Sequence, residues 1–196
     1  MDDAPHNADL LFHVRVFIGI VTGLSVTRLL AGLARFIQHP AREHIYPIHL
    51  GWALFLLLSV IHFWWFEFGL SRITVWTFEI YIFVIGYAVL FFLACVVLFP
   101  DKMEEYSGFK AYFHSRQKWF YGLLAALFLV DMIDSAAKGM THFQSLGVLY
   151  PVRQSVLAAL AVIAIFVRDW RYHAAFLALA FVAEVVWIVG QFSVMN

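Results

Sequence analysis

The sequence predicts an all-α protein, a polytopic membrane helical bundle with six transmembrane helices in one domain over residues 1–196. Hydrophobic residues make up 63% of the chain and charged residues 13%, and the mean hydropathy is +0.83. A soluble domain carries about 25% charged residues, so this chain lacks the charge to coat a soluble globule. A bilayer core needs about 20 apolar residues per helix. Six stretches meet that length, at about 12–37, 48–70, 73–99, 118–138, 149–167 and 171–194.

The first span follows an acidic N-terminus without the basic start of a signal peptide, so we expect it to be retained. It carries Gly19 and Gly23 four residues apart. This spacing lets helices approach closely, either inside the bundle or between protomers of a homo-oligomer.

Pro47 and Pro151 suit the first turns of the second and fifth spans. The connection at 101–117 reads equally well as an amphipathic surface helix or as a solvated loop.

Lys and Arg residues indicate the orientation of the spans. The connections after spans one, three and five hold eight of them, namely Arg35, Arg42, Lys102, Lys110, Arg116, Lys118, Arg168 and Arg171. The opposite side holds Arg15, Arg72, Lys138 and Arg153. The basic connections are therefore expected in the cytoplasm and both termini outside.

The two halves of the chain resemble each other at a nearly constant offset. The run 17–19 matches 120–122, Tyr46-Pro47 matches Tyr150-Pro151, and Glu79 with Gly86 matches Glu184 with Gly190. A repeat of three helices would place the second half upside down in the membrane, as in many transporters, with the site at the repeat interface. Chance resemblance between apolar segments is the alternative.

Ionisable residues inside the spans are the candidate functional residues, because a charge at the bilayer centre costs about 2.5–3.5 kcal/mol. The proposed ion or proton pathway consists of Glu184, Asp131, Glu79, Arg28, Asp134 and His62. Glu67 lies close enough to the outer boundary to be interfacial. We expect Asp134 and Lys138 to form an i,i+4 ion pair near the outer end of their helix.

Span six carries the clearest polar pattern. His173, Ala180, Glu184 and Gln191 fall on one helical face with Leu177. That face must point into the bundle, because lipid cannot satisfy polar groups. Glu184 near the midplane is the leading candidate proton carrier, and Arg28 is expected to neutralise Glu184 or Asp131. Buried charges that only hold the helices together are the alternative.

Several classes of function are disfavoured. Zinc-binding helices, phosphate-binding glycine loops and paired cysteines are missing, so we expect no enzyme, no metal and no cofactor. Balanced charge, 13 basic against 13 acidic residues, gives no basic field for nucleic acid. Bis-histidine haem needs facing histidines at similar depth in two spans. His49 and His173 are expected near span ends, which leaves His62 alone in the core and makes a haem or quinone protein the third hypothesis.

A resemblance rests on four segments: residues 17–35, the run from His49 to Trp65, Phe99-Pro100-Asp101, and Trp119-Phe120-Tyr121-Gly122. Over about the first two-thirds of the chain they resemble a group of uncharacterised small bacterial multi-span membrane proteins. The resemblance implies a bacterial inner membrane and a six-helix form, and it carries over no functional residues.

These observations together predict a membrane protein that moves protons or small cations through a polar bundle interior, with the lipid bilayer as its surroundings. The alternative is a membrane sensor, scaffold or accessory subunit that transports nothing and uses its buried charges to hold the bundle together.

Overall fold

The computed structural model describes residues 3–38, 45–73 and 75–192, and this part of the chain is helical without strands. Its seven α-helices are α1 (Asp3–Gln38), α2 (Pro47–Phe66), α3 (Phe78–Leu98), α4 (Phe109–Ala137), α5 (Met140–Ser145), α6 (Leu149–Ala164) and α7 (Trp170–Phe192). A 3₁₀ turn, Glu67–Arg72, continues α2. Six of the seven helices match the six predicted spans. The prediction of six helices missed α5, which at six residues is too short to produce a periodic pattern.

Five helices are long and apolar enough to cross a membrane. These segments are Asp9–Gln38, Pro47–Arg72, Phe78–Leu98, Phe109–Ala137 and Trp170–Gly190. The remaining predicted span corresponds to α6, whose 16 residues rise about 24 Å and fall short of a bilayer core of about 30 Å. The all-α fold and its apolar helices are thus compatible with a membrane protein.

Local chemistry explains where several helices begin. Pro47 occupies the first turn of α2, where its missing N–H costs nothing. The Thr77 hydroxyl caps α3 by accepting the Ile80 N–H at 3.4 Å. Gly108 precedes α4 with a φ of 128°, a region that favours glycine. Residues 101–108 are not helical, and 109–117 form the first turns of α4. Of the two alternatives for 101–117, the loop describes 101–108, whereas 109–117 is helical but continues directly into the fourth span instead of forming a separate surface helix.

Contacts at the two ends of the bundle show that successive long helices run in opposite directions. At the Phe99 end, the His49 ring near the start of α2 donates to the Leu98 carbonyl at the end of α3 (2.6 Å). At the same end the Gln117 amide in α4 donates to the Ala164 carbonyl of α6 (2.7 Å). At the opposite end, the Lys138 end, the 3₁₀ turn after α2 meets the C-terminus of α4.

The two halves do not pack alike. In the first half α1 packs most extensively against α3, whereas in the second half α4 packs most extensively against α6. If α4, α6 and α7 repeated α1, α2 and α3, the packing of α1 on α3 would predict that α4 packs mainly on α7. The packing therefore gives no support to the 3+3 inverted repeat.

Apolar side chains cover the outside of the helices. Six large ones on five different helices each expose more than half of their surface, namely Phe12, Leu24, Ile61, Phe78, Ile133 and Val186. The interior holds aromatic residues such as Trp52, Phe55 and Tyr121, which are almost fully buried, and beside them a set of ionisable side chains. This distribution positions the candidate site inside the bundle.

Candidate polar site in the bundle interior

Asp131 of α4 is held by three neutral donors. The Tyr87 hydroxyl of α3 donates to Oδ1 at 3.0 Å. The Tyr150 hydroxyl and the Gln154 amide, both from α6, donate to Oδ2, the former at 2.5 Å. These three donors occupy acceptor positions on both oxygens of the carboxylate. Within the part of the chain that the structure describes, no Lys or Arg forms an ion pair with Asp131.

Glu184 of α7 joins three helices. Its Oε1 lies 2.8 Å from Nδ1 of His62 in α2, and its Oε2 accepts a hydrogen bond from the Arg153 guanidinium of α6. The guanidinium carbon lies 5.3 Å from the ring centre of Trp187, a cation–π contact. Glu184 is 5% exposed. The carboxylate is thus compensated by Arg153 and by the hydrogen bond with His62.

A cavity of about 50 Å³ lies between these two carboxylates and has room for a few water molecules. Its polar lining comprises Ser59, His62, Tyr87, Asp131, Tyr150, Arg153, Gln154 and Glu184, and its apolar lining is mainly aromatic. Gln154 Oε1 and Arg153 Nε are buried without a partner among the residues described. Buried polar atoms next to a cavity of this size are the groups that ordered water satisfies. We call this feature the acidic cavity.

A second cluster, the Lys138 triad, lies at the Lys138 end of the bundle. The Lys138 ammonium donates to Glu67 Oε1 at 2.8 Å and to Asp134 Oδ2 at 2.5 Å. All three side chains are at most 3% exposed. The ammonium also lies 4.7 Å from the ring centre of Phe66. None of the three residues lines the acidic cavity.

A neutral hydrogen-bond chain occupies the interior nearer the Phe99 end. The Trp52 indole donates to the Tyr121 hydroxyl (3.1 Å), which lies 2.8 Å from His173 Nδ1. His173 Nε2 donates to the Val167 carbonyl (3.1 Å). Tyr121 therefore donates to Nδ1 when the imidazole is neutral. His49 and His173 lie in the first turns of α2 and α7, near span ends as expected, and both are 0% exposed.

The structure brings together only part of the predicted pathway. Asp131, His62 and Glu184 all line the acidic cavity. Asp134 instead belongs to the Lys138 triad, where the predicted i,i+4 pair with Lys138 is confirmed.

Two predicted pathway residues lie elsewhere. Glu79 is exposed in the first turn of α3, beside the cap at Thr77. Arg28 donates to the Phe99 carbonyl (2.8 Å) and pairs with Asp101 (2.5 Å), so it neutralises neither Glu184 nor Asp131. Both predictions placed charges in the interior by depth alone, and helix packing turns these two side chains toward the ends of the bundle.

The predicted polar face of α7 is buried as expected at His173, Ala180 and Glu184; the side chain of Gln191 lies outside the described residues. Gly19 packs inside the protomer, because a Cβ there would come within 2.9 Å of the Trp64 ring. Gly23 is exposed, and a Cβ added there would meet nothing within 4 Å.

Sequence reasoning missed five site residues, one of which is Tyr87 of α3, a donor to Asp131. Tyr150, Arg153 and Gln154 share one face of α6 at spacings i, i+3 and i+4, and this pattern was the available signal. Arg153 was instead assigned to the outer basic residues. Glu67 was assigned to the interface, yet it is 2% exposed because the 3₁₀ turn directs it under Lys138.

The described residues contain no group of three or more His, Cys, Asp or Glu side chains arranged to hold a metal ion. Comparison of the chain with protein-family models, with curated proteins and with solved structures gives no significant match. The inference of function therefore rests on the geometry of the acidic cavity and the Lys138 triad.

Proposed function

We propose that this chain is an integral membrane protein that conducts protons or small cations through its polar interior, in a role that is not enzymatic. Many large apolar side chains are exposed on the outside of the helices, whereas Glu67, Asp134, Lys138 and Glu184 are buried inside, which is unusual for charged residues of a soluble protein. Lipid satisfies the outer surface, while polar groups must find partners inside the bundle. Intramembrane ionisable residues arranged around a cavity are typical of ion and proton pathways.

The observation that carries the proposal is the unbalanced negative charge beside the acidic cavity. Four buried or half-buried carboxylates, those of Glu67, Asp131, Asp134 and Glu184, share two permanent cations, Lys138 and Arg153. Asp131 has only neutral donors around it. An ionised carboxylate without a cationic partner attracts a proton or a small cation strongly in surroundings of low dielectric constant.

The imidazole of His62 is the more exposed member of the pair that it forms with Glu184. Its side chain is 17% exposed, whereas that of Glu184 is 7% exposed. An imidazole carries protons on its ring nitrogens, and Nδ1 of His62 is one hydrogen bond from Glu184. The proposed path therefore enters at His62, passes Glu184 and reaches the water beside Asp131.

The test is flux in sealed proteoliposomes that contain a pH-sensitive dye, driven by a potassium diffusion potential. We expect wild type to exceed empty liposomes, and Asp131→Asn and Glu184→Gln to lower the flux at least tenfold. Glu79→Gln, an exposed carboxylate on α3, is the matched control and should behave as wild type. Equal flux in wild type and both cavity variants would contradict the pathway.

One observation favours the alternative of a non-transporting module. Glu184 links α2, α6 and α7 through His62 and Arg153, and this is the arrangement expected of a structural polar contact. Under this alternative Glu184→Gln lowers the thermal stability and wild type shows no flux of any small cation. Retained stability with lost flux favours conduction.

We further propose a bacterial inner-membrane location with both termini outside, supported by the concentration of Lys and Arg at the Phe99 end. The only cysteine, Cys95, is fully buried and should give little background labelling. Thr141→Cys at the Lys138 end should react with a membrane-impermeant maleimide on intact cells, and Lys102→Cys only after lysis. The reverse pattern would invert the topology.

A further inference from the structure

The Lys138 triad has one negative charge too many for its surroundings. Two carboxylates, Glu67 and Asp134, flank one ammonium, so the fully ionised triad has a net charge of −1. All three side chains are almost completely buried, and an uncompensated buried charge is costly. The ammonium has donated to one oxygen of each carboxylate. It cannot neutralise both.

Two oxygen atoms of the triad have no partner. Glu67 Oε2 and Asp134 Oδ1 are buried without a hydrogen bond among the described residues. The acidic cavity offers these oxygens no space for water, because neither residue lines that cavity. Each orphan oxygen is an acceptor that lacks a donor, which is what a bound proton supplies.

Among the residues that the structure describes, no other cation pairs with the triad. The Arg15 guanidinium donates to the Phe68 carbonyl, and Arg72 donates to His142. Burial, with the charges of Arg72 and Lys138, lowers the pKa of His142, so this ring stays neutral at pH 7. Asp131 precedes Asp134 by less than one helical turn of α4, and it adds further negative charge near the triad. Four further titratable groups on the surrounding helices hold Asp131 or Glu184 instead, namely Tyr87, Tyr150, His62 and Arg153.

We infer that the Lys138 triad is a proton-binding site, in which one exchangeable proton on the Glu67–Asp134 carboxyl pair makes the triad neutral at pH 7. Binding forms one O–H bond on a carboxylate oxygen, breaks none in the protein, and takes the proton from water. The site is separate from the acidic cavity. It does not depend on the proposed conduction, because it requires only that the triad be buried.

The experiment is infrared spectroscopy of the full chain in liposomes across a pH series. We expect wild type at pH 7 to show the C=O absorption of one protonated carboxyl group that is absent from Glu67→Gln and from Asp134→Asn. Each variant replaces one carboxyl by a neutral isostere, so the remaining carboxylate pairs with Lys138 and needs no proton. Glu79→Gln is the control and should keep the band.

A second measurement follows from linkage. A proton held by the folded triad and released on unfolding makes the unfolding equilibrium constant rise about tenfold per pH unit until the triad deprotonates. Stability should therefore fall as pH rises in wild type, and Glu67→Gln should lack this contribution. Circular dichroism and size-exclusion chromatography establish which variants fold, and one folded variant is sufficient for the comparison.

Two results would overturn the inference. A carboxyl band of equal size in wild type and in the folded variants would place the proton elsewhere. A wild-type spectrum without the band, together with stability that rises with sodium concentration at constant pH, would show that a metal cation neutralises the triad.

Discussion

The acidic cavity and the Lys138 triad use similar residues in opposite ways. In the cavity each carboxylate has several partners and adjoins a space large enough for water: Asp131 has three neutral donors, and Glu184 has Arg153 and His62. In the triad, one ammonium serves two carboxylates without a lining cavity. Where a carboxylate has several partners, the remaining partners still stabilise it after one of them is removed. Where a single cation holds the site together, its loss affects every member.

The largest effect should come from Lys138→Met, which keeps the apolar stem against Gly69 and removes the charge. Two buried carboxylates then lose their cation, and we expect a loss of about 3–5 kcal/mol in unfolding free energy. The measurement is chemical unfolding in detergent. Lys102→Met in the exposed connection is the control, expected within about 0.5 kcal/mol of wild type. A cost below about 1 kcal/mol for Lys138→Met would contradict the comparison.

A smaller effect is expected for Arg153→Met in the acidic cavity. Glu184 keeps its hydrogen bond with His62 and gains access to cavity water, so the cost should be about 1.5–3 kcal/mol, the range for a hydrogen bond to a charged group. Thermal unfolding with and without the additional change Glu184→Gln measures it, and the double variant should recover part of the loss. An equal loss of unfolding free energy in Arg153→Met and Lys138→Met would contradict the expectation that cavity water compensates Glu184.

The smallest effect is expected for Tyr87→Phe. This change removes one of three donors to Asp131, and water in the cavity can replace it. We expect a loss of about 1 kcal/mol by the same unfolding measurement. Tyr81→Phe on the same helix is the matched control and should differ little from wild type. A loss above about 3 kcal/mol would show that Asp131 depends on Tyr87 alone.

Patterns within single helices predicted the fold and much of the site. The predicted spans at 12–37 and 171–194 lie close to α1 and α7, since a run of apolar residues long enough for a bilayer is a local property. The inward direction of Glu184 likewise follows from its spacing from His173 and Ala180 on one helical face. Lys138 with Asp134 was found because the pair lies on one helix.

Patterns within single helices could not predict which residues of different helices pair with each other. Glu184 pairs with Arg153 rather than with Arg28, and Glu67 is buried under Lys138 rather than interfacial. The partner of a charge depends on the rotation and relative depth of two helices, and both are decided by how their apolar faces pack. Hydropathy and helical period thus indicate which segments form long apolar helices and, for α7, which face turns inward. Tertiary packing alone decides which charge pairs with which, because that pairing is a distance between different helices.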